Sequence, residues 1–180
     1  MPSTLVQFLA NAGKDHKGRR LCELRIMPDW KLEREHDVIQ WMFPSDIRSE
    51  YFADAPVLTD DDITFIKMSP TIQEQTHMSL MRMVDFYAKN DYWITQKNHN
   101  FLRLTRILRF LWLAGKKHEY VVLSKILDSV YTEYFDVIGE ETFYFWKNAN
   151  NKEFLLSHKN KPIRVSIPIA NSKTNPYDSD

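Results

Sequence analysis

The sequence is poor in glycine and cysteine, two residues that mark many functional sites. It has four glycines in 180 residues, and neither G-x-G-x-x-G nor the Walker A pattern occurs, so glycine-rich phosphate loops are excluded. The single cysteine, Cys22, excludes an intramolecular disulfide and a zinc site built from several thiolates. We therefore predict a chain without a metal site and without a cofactor.

The chain also lacks an excess of charge and a long apolar run. Its 24 basic and 24 acidic residues balance, which argues against bulk nucleic acid as a partner. The longest apolar-leaning run, residues 107–115, is far shorter than the roughly 20 residues of a membrane span. The N-terminus has no secretion signal. We expect a soluble, cytoplasmic protein without a transmembrane segment.

The residues that are plentiful favour helices. Leu, Glu, Lys and Met are good helix formers, and start signals recur along the chain. Thr59 precedes a run of acidic residues, and Ser69 precedes Pro70 at a predicted first helical position. We predict an all-α fold, a compact single-domain bundle of about seven helices over residues 1–150. Residues 151–180 are predicted to be a C-terminal tail, extended or partly disordered.

One predicted helix, residues 30–43, carries an unusual polar stripe within the segment LEREHDVIQWMFP (32–44). On a helical wheel Glu33, His36, Asp37 and Gln40 fall within about 100° of arc, and Trp41 lies on the flank. The stripe is either a solvent-exposed face or an inward face that lines a cleft. In a cleft, a histidine and an amide one turn apart could bind a ligand together.

A second polar stripe lies in NHNFLRLTRILRFLWLAG (98–115). His99, Arg103 and Arg106 fall within about 60° of arc, opposite a broad apolar face. Three interpretations stay open: a solvated basic face, an anion-binding site, or arginines that pair with Glu33 or Asp37 across a helix interface. The polar loop DHKGRR (15–20) could present a further basic group beside a histidine.

Known catalytic motifs are absent. The chain has no G-x-S-x-G, no H-E-x-x-H and no catalytic Cys–His signature. An enzyme would therefore depend on His36 or His99 as a general base, oriented by a nearby acid such as Asp37.

The two polar stripes lie in segments that resemble those of a known protein family. Four segments resemble, in order and spacing, the conserved domain of the opioid growth factor receptor family. They are LEREHDVIQWMFP, APVLTDDDI, MVDFY and NHNFLRLTRILRFLWLAG. DHKGRR and GEETFYFWKNA (139–149) resemble its short bacterial single-domain forms. The resemblance covers residues 5–149. It implies a helical, receptor-like domain in a family that is named for binding an opioid peptide, and it does not imply a membrane receptor.

We combine these observations in one hypothesis, a non-catalytic ligand- or peptide-binding domain. Its ligand would be a small anionic molecule or a peptide held between the two stripes. The candidate ligand-binding residues are His36, Gln40, Trp41, His99, Asn100, Arg103 and Arg106. Two alternatives remain: an enzyme that uses His36 or His99 as general base, and a structural polar core with a protein partner that binds elsewhere.

Overall fold

The computed structural model describes residues 2–159, and it folds them into helices joined by loops. The helices in this range are α1 Thr4–Leu9, α2 Leu21–Arg25, α3 Asp29–Arg34, α4 His36–Met42, α5 Asp60–Met68, α6 Pro70–Lys89, α7 Asn100–Leu113, α8 Lys117–Ile138, α9 Glu140–Lys147 and α10 Lys152–Ser157. No strand forms between residues 2 and 159, where the only β-pairing is an isolated bridge between Ser45 and Val57. The predicted all-α class is confirmed, but the ten helices exceed the predicted seven.

The helix predicted over residues 30–43 is in fact two helices. Glu35, between α3 and α4, has an extended backbone with φ −88° and ψ 98°. At this break the Nη2 group of Arg103 donates to the carbonyl oxygens of Glu33 and Glu35, at 3.2 and 3.5 Å. A side chain distant in sequence thus binds backbone oxygens at the position where the helical pattern is interrupted.

The C-terminal region also differs from the prediction where the structure describes it. The sequence predicts an extended or partly disordered tail from residue 151, but this segment begins with α10, Lys152–Ser157. Asn151 caps this helix by accepting a hydrogen bond from the backbone N–H of Phe154 at 3.0 Å, and Leu155 is buried. Residues 160–180 of the predicted tail lie outside the described residues.

The two predicted helix starts around α5 and α6 are confirmed. Thr59 Oγ1 accepts from the backbone N–H of Asp62 at 3.1 Å, and the Asp62 carboxylate accepts from the N–H of Thr59 at 3.0 Å. This reciprocal arrangement is a capping box. Ser69 caps α6, with Pro70 at the first helical position. Asp62 also accepts from Ser3 Oγ at 2.6 Å, which ties α1 to α5.

Helix α7 lies at the centre of the core. It packs against α4, α8 and α9, and its buried apolar residues are Phe101, Leu104, Ile107, Leu108, Phe110 and Leu111. The indole of Trp146 on α9 is almost fully buried and donates to the carbonyl oxygen of Phe101 at 3.1 Å. Apolar burial of this extent is the main stabilising contribution to the domain.

The two longest helices are α6, with 20 residues, and α8, with 22 residues. The backbone of Tyr134 is not helical, with φ −123° and ψ 32°, so α8 is kinked there. Among the helices within residues 2–159, none combines the length and the apolar character that crossing a membrane requires.

The loop between α4 and α5 is closed at its base and fixed to α7. Leu58 N–H donates to the carbonyl oxygen of Ser45 at 2.9 Å, which joins the two ends of the loop. Arg109 on α7 binds both carboxylate oxygens of Asp46, at 3.0 and 2.9 Å. The third guanidinium nitrogen of Arg109, Nη1, donates to the carbonyl oxygen of Asn150 at 2.8 Å. One buried arginine therefore connects this loop, α7 and the segment before α10.

Replacing Arg109 by alanine is expected to destabilise the domain strongly. The Arg109–Asp46 pair is buried, with side-chain exposures of 6% and 8%, so the variant leaves a buried carboxylate without its arginine. Such a loss costs about 3–5 kcal/mol. The matched control is Lys147→Ala, which removes the exposed pair with Asp128 and should cost at most about 1 kcal/mol. Urea unfolding measures both, and equal costs would contradict a structural role for Arg109.

Candidate functional site

The break at Glu35 divides the predicted polar stripe between two sides of the molecule. Glu33, before the break, faces α7, whereas Asp37, after it, faces the loop of residues 15–20. Because the wheel assumed one continuous helix, it placed these carboxylates together. The structure instead gives each of them its own set of partners.

The first set surrounds Glu33 and contains four of the seven predicted site residues. The Glu33 carboxylate accepts from Asn100 Nδ2 at 3.2 and 3.0 Å, and lies 3.1 Å from His99 Nε2. Arg103 Nη1 lies 3.6 Å from the same carboxylate. The expected pairing of an α7 arginine with Glu33 is therefore confirmed for Arg103. A side-chain amide, an imidazole and a guanidinium together satisfy this carboxylate.

His36 joins this set through a ring contact. Its imidazole packs edge-on against that of His99, with 5.0 Å between the ring centroids. His36 is exposed and His99 is half-buried, above a buried base of Asn100 and Arg103. Burial, and next the positive charge of Arg103, lower the pKa of His99, while the Glu33 carboxylate opposes this. His99 is thus held towards its neutral form.

The second set surrounds Asp37 and the 15–20 loop. The Asp37 carboxylate, 4% exposed, lies 2.8 Å from both Lys17 Nζ and Arg19 Nη2 and 3.4 Å from His16 Nε2. Burial alone would raise the pKa of Asp37, but the hydrogen bond from Lys17 and the charge of Arg19 hold it below its usual range. This carboxylate orients neither His36 nor His99, so the proposed Asp37-assisted general base is wrong.

Trp41 belongs to this second set and does not form a wall beside His36. Its ring packs edge-on against Phe8 at 5.1 Å and stacks on His16 at 5.7 Å between centroids. The Trp41 side chain is buried, and its Nε1 has no hydrogen-bond partner within residues 2–159. The sequence signal for this contact was the histidine in DHKGRR, a loop that was predicted only to present a further basic group beside that histidine.

Gln40 and Arg106 form a third environment, at the C-terminal end of α4. Arg106 Nε donates to the carbonyl oxygen of Phe43 at 3.1 Å, and Gln40 lies one turn before Phe43 on the same side of the helix. Gln40 Nε2 donates to Ser49 Oγ at 3.3 Å. Arg106 Nη2 and Gln40 Oε1 are buried without a hydrogen-bond partner in the described part of the chain. The seven predicted residues therefore occupy three environments.

An open groove on α5 is a site that the sequence reasoning missed. It has a volume of about 380 Å³ and is lined by Asp61, Thr64, Phe65, Met68 and Ser69. The first four occupy positions i, i+3, i+4 and i+7, and so lie along one face of the helix. The opposite face, with Asp62 and Ile66, is buried. The available signal was the pair Phe65 and Met68, two apolar residues on one side of the predicted helix.

No arrangement of three or more His, Cys, Asp or Glu side chains within residues 2–159 is suited to hold a metal ion. The chemistry of the three environments is that of hydrogen bonds and ion pairs: the Glu33 set and the Asp37 set are each largely satisfied internally. At the C-terminal end of α4, by contrast, Gln40 Oε1 and Arg106 Nη2 are buried without a hydrogen-bond partner among residues 2–159.

Acid is expected to destabilise the protein partly through His99. In the unfolded chain His99 takes up a proton near pH 6.5, whereas the lowered pKa in the folded protein delays protonation. As the pH falls below about 6.5, the unfolded state binds more protons and the free energy of unfolding decreases. We predict that His99→Gln loses less stability than the wild type between pH 7 and pH 5, measured by urea unfolding. Identical losses in both proteins would rule out a lowered His99 pKa.

Comparison with known proteins adds no identity to this geometry. No protein family, no curated protein and no solved structure matches the chain. The resemblance to the opioid growth factor receptor family therefore stays a hypothesis, and the function has to be inferred from the contacts described above.

Proposed function

We propose that this chain is a non-catalytic peptide-binding helical domain, and that the groove on α5 takes an apolar segment of a protein partner. The observation that carries the proposal is the exposure of two large apolar side chains that line one groove. Phe65 is 46% exposed and Met68 is 78% exposed. Apolar side chains grouped at a concave surface are typical of interaction sites.

The shape and chemistry of the groove favour a peptide with adjacent apolar and basic residues. Its volume of about 380 Å³ suits a few side chains. Met68 has a flexible thioether that adapts to different apolar partners. Asp61 lines the groove one turn before Phe65, so a lysine or arginine of the partner can pair with its carboxylate while apolar side chains cover Phe65 and Met68.

The contacts of the polar stripes support the same assignment. Arg103 pairs with Glu33, and Arg19 with Asp37, so these carboxylates are neutralised within the protein. Such ion pairs fit the alternative in which the polar stripes form a structural core and a protein partner binds at another surface.

The catalytic alternative has less support. His99 has Glu33 beside it at 3.1 Å, as a general base would, but Asn100 and Arg103 bind the same carboxylate. His36 has no carboxylate within ion-pair distance among the described residues. The groove that could admit a substrate lies on α5, lined by none of these residues.

The proposal predicts binding of a fluorescein-labelled amphipathic helix of leucine and lysine, followed by fluorescence anisotropy. Replacing both Phe65 and Met68 by serine should weaken binding by more than about tenfold, since two buried apolar side chains contribute well over 1.4 kcal/mol. Phe135→Ser is the matched control: Phe135 on α8 is 53% exposed and does not line the groove, so affinity should not change.

Charge is tested separately with a second peptide in which glutamate replaces every lysine. The wild type should prefer the leucine–lysine peptide, and Asp61→Lys should reduce this preference. If Phe65→Ser/Met68→Ser binds like Phe135→Ser, or if the wild type binds both peptides equally, the α5 groove is not the proposed site. Self-association of the wild type that Phe65→Ser abolishes would assign the groove to a second copy of the chain instead.

A further inference from the structure

The three arginines at successive turns of α7 have different partners. Arg103 lies beside the Glu33 carboxylate, and Arg109 binds both oxygens of Asp46. Arg106, one turn from each of them, has no carboxylate within ion-pair distance among residues 2–159. Its one hydrogen bond in this range is from Nε to the carbonyl oxygen of Phe43, at 3.1 Å.

The environment of Arg106 makes this lack of a partner costly. Its Nη2 group is buried and donates to no acceptor in the described part of the chain, and burial lowers the pKa of Arg106 to about 10. A guanidinium removed from water without an anion is unfavourable. The carbonyl end of α4 offers only a partial negative charge, at most about half an elementary charge. Residues 2–159 therefore hold a positive group with which no carboxylate among them pairs.

The residues around Arg106 favour a ligand over a partner from the chain itself. The neighbouring carboxylates already bind other cations: Asp46 contacts Arg109 and Lys152, and Glu33 contacts Arg103. No carboxylate among residues 2–159 is therefore left to pair with Arg106, and an oxyanion from a bound ligand would supply the missing negative charge.

We propose that Arg106 binds the oxyanion of a small ligand, a phosphate or a carboxylate, where α7 meets the C-terminal end of α4. The bond from Nε to Phe43 fixes the plane of the guanidinium, so that its terminal N–H groups are oriented before the ligand arrives. This site is independent of the α5 groove.

The test is thermal melting in sodium phosphate, sodium acetate and sodium chloride at equal ionic strength. Phosphate stabilises many proteins nonspecifically, so the quantity that counts is the difference between the wild type and Arg106→Gln. We expect phosphate or acetate to raise the wild-type Tm relative to chloride, and this rise to be absent in Arg106→Gln. Arg34→Ala, which removes an exposed arginine on α3, is the matched control and should respond like the wild type.

A second variant separates binding from folding. Arg106→Met replaces the partly buried guanidinium by an apolar side chain, so in chloride it should melt at or near the wild-type temperature and should not respond to either oxyanion. A rise with phosphate alone or acetate alone identifies the anion class. Equal responses of wild type and Arg106→Gln, no response in the wild type, or a much lower Tm of Arg106→Met in chloride would each overturn the proposal.

Discussion

Burial of α7 is possible only if the arginines that it carries find negative or polar groups inside the protein. A guanidinium loses several kcal/mol of hydration when it is buried, and only paired groups recover that cost. Arg103 binds the Glu33 carboxylate and the carbonyl groups at the Glu35 break, and Arg109 binds Asp46 and the segment before α10. The positions of α3, of the 45–58 loop and of the C-terminal helix are thus coupled to the charges of one central helix.

Features that depend on neighbouring residues could be predicted from the sequence. Thr59 and Ser69 cap the helices that follow them, because a hydroxyl needs only the backbone of the next turn. Gly115 ends α7 with φ +75°, a conformation that glycine adopts without strain. The break at Glu35 could not be predicted, because the group that binds its exposed carbonyl oxygen, Arg103, is 68 residues away in sequence.

The sequence predicted only part of the candidate site, because contacts between residues far apart in the chain cannot be predicted from local patterns. The helical wheels selected His36, His99 and Arg103; His99 and Arg103 do meet at Glu33, and His36 packs against the ring of His99. They also grouped Trp41 with them, although its ring packs against the loop of residues 15–20. A wheel gives the direction of a side chain from its own helix, but it cannot show which element lies opposite. The α5 groove was missed because its apolar residues look like core residues until their exposure is known.

The contacts of Arg109 have a consequence for synthesis of the chain. Its carbonyl partners, Ala149 and Asn150, lie 40 and 41 residues further along the sequence. During synthesis α7 is therefore made before Ala149 and Asn150, whose carbonyl oxygens are half of the groups that bind its buried arginine. Until then Arg109 has only Asp46 among these partners. The contacts that hold this buried arginine are therefore completed only when a segment 40 residues beyond it has been synthesised, so the fixing of α7 is coupled to a late step of folding.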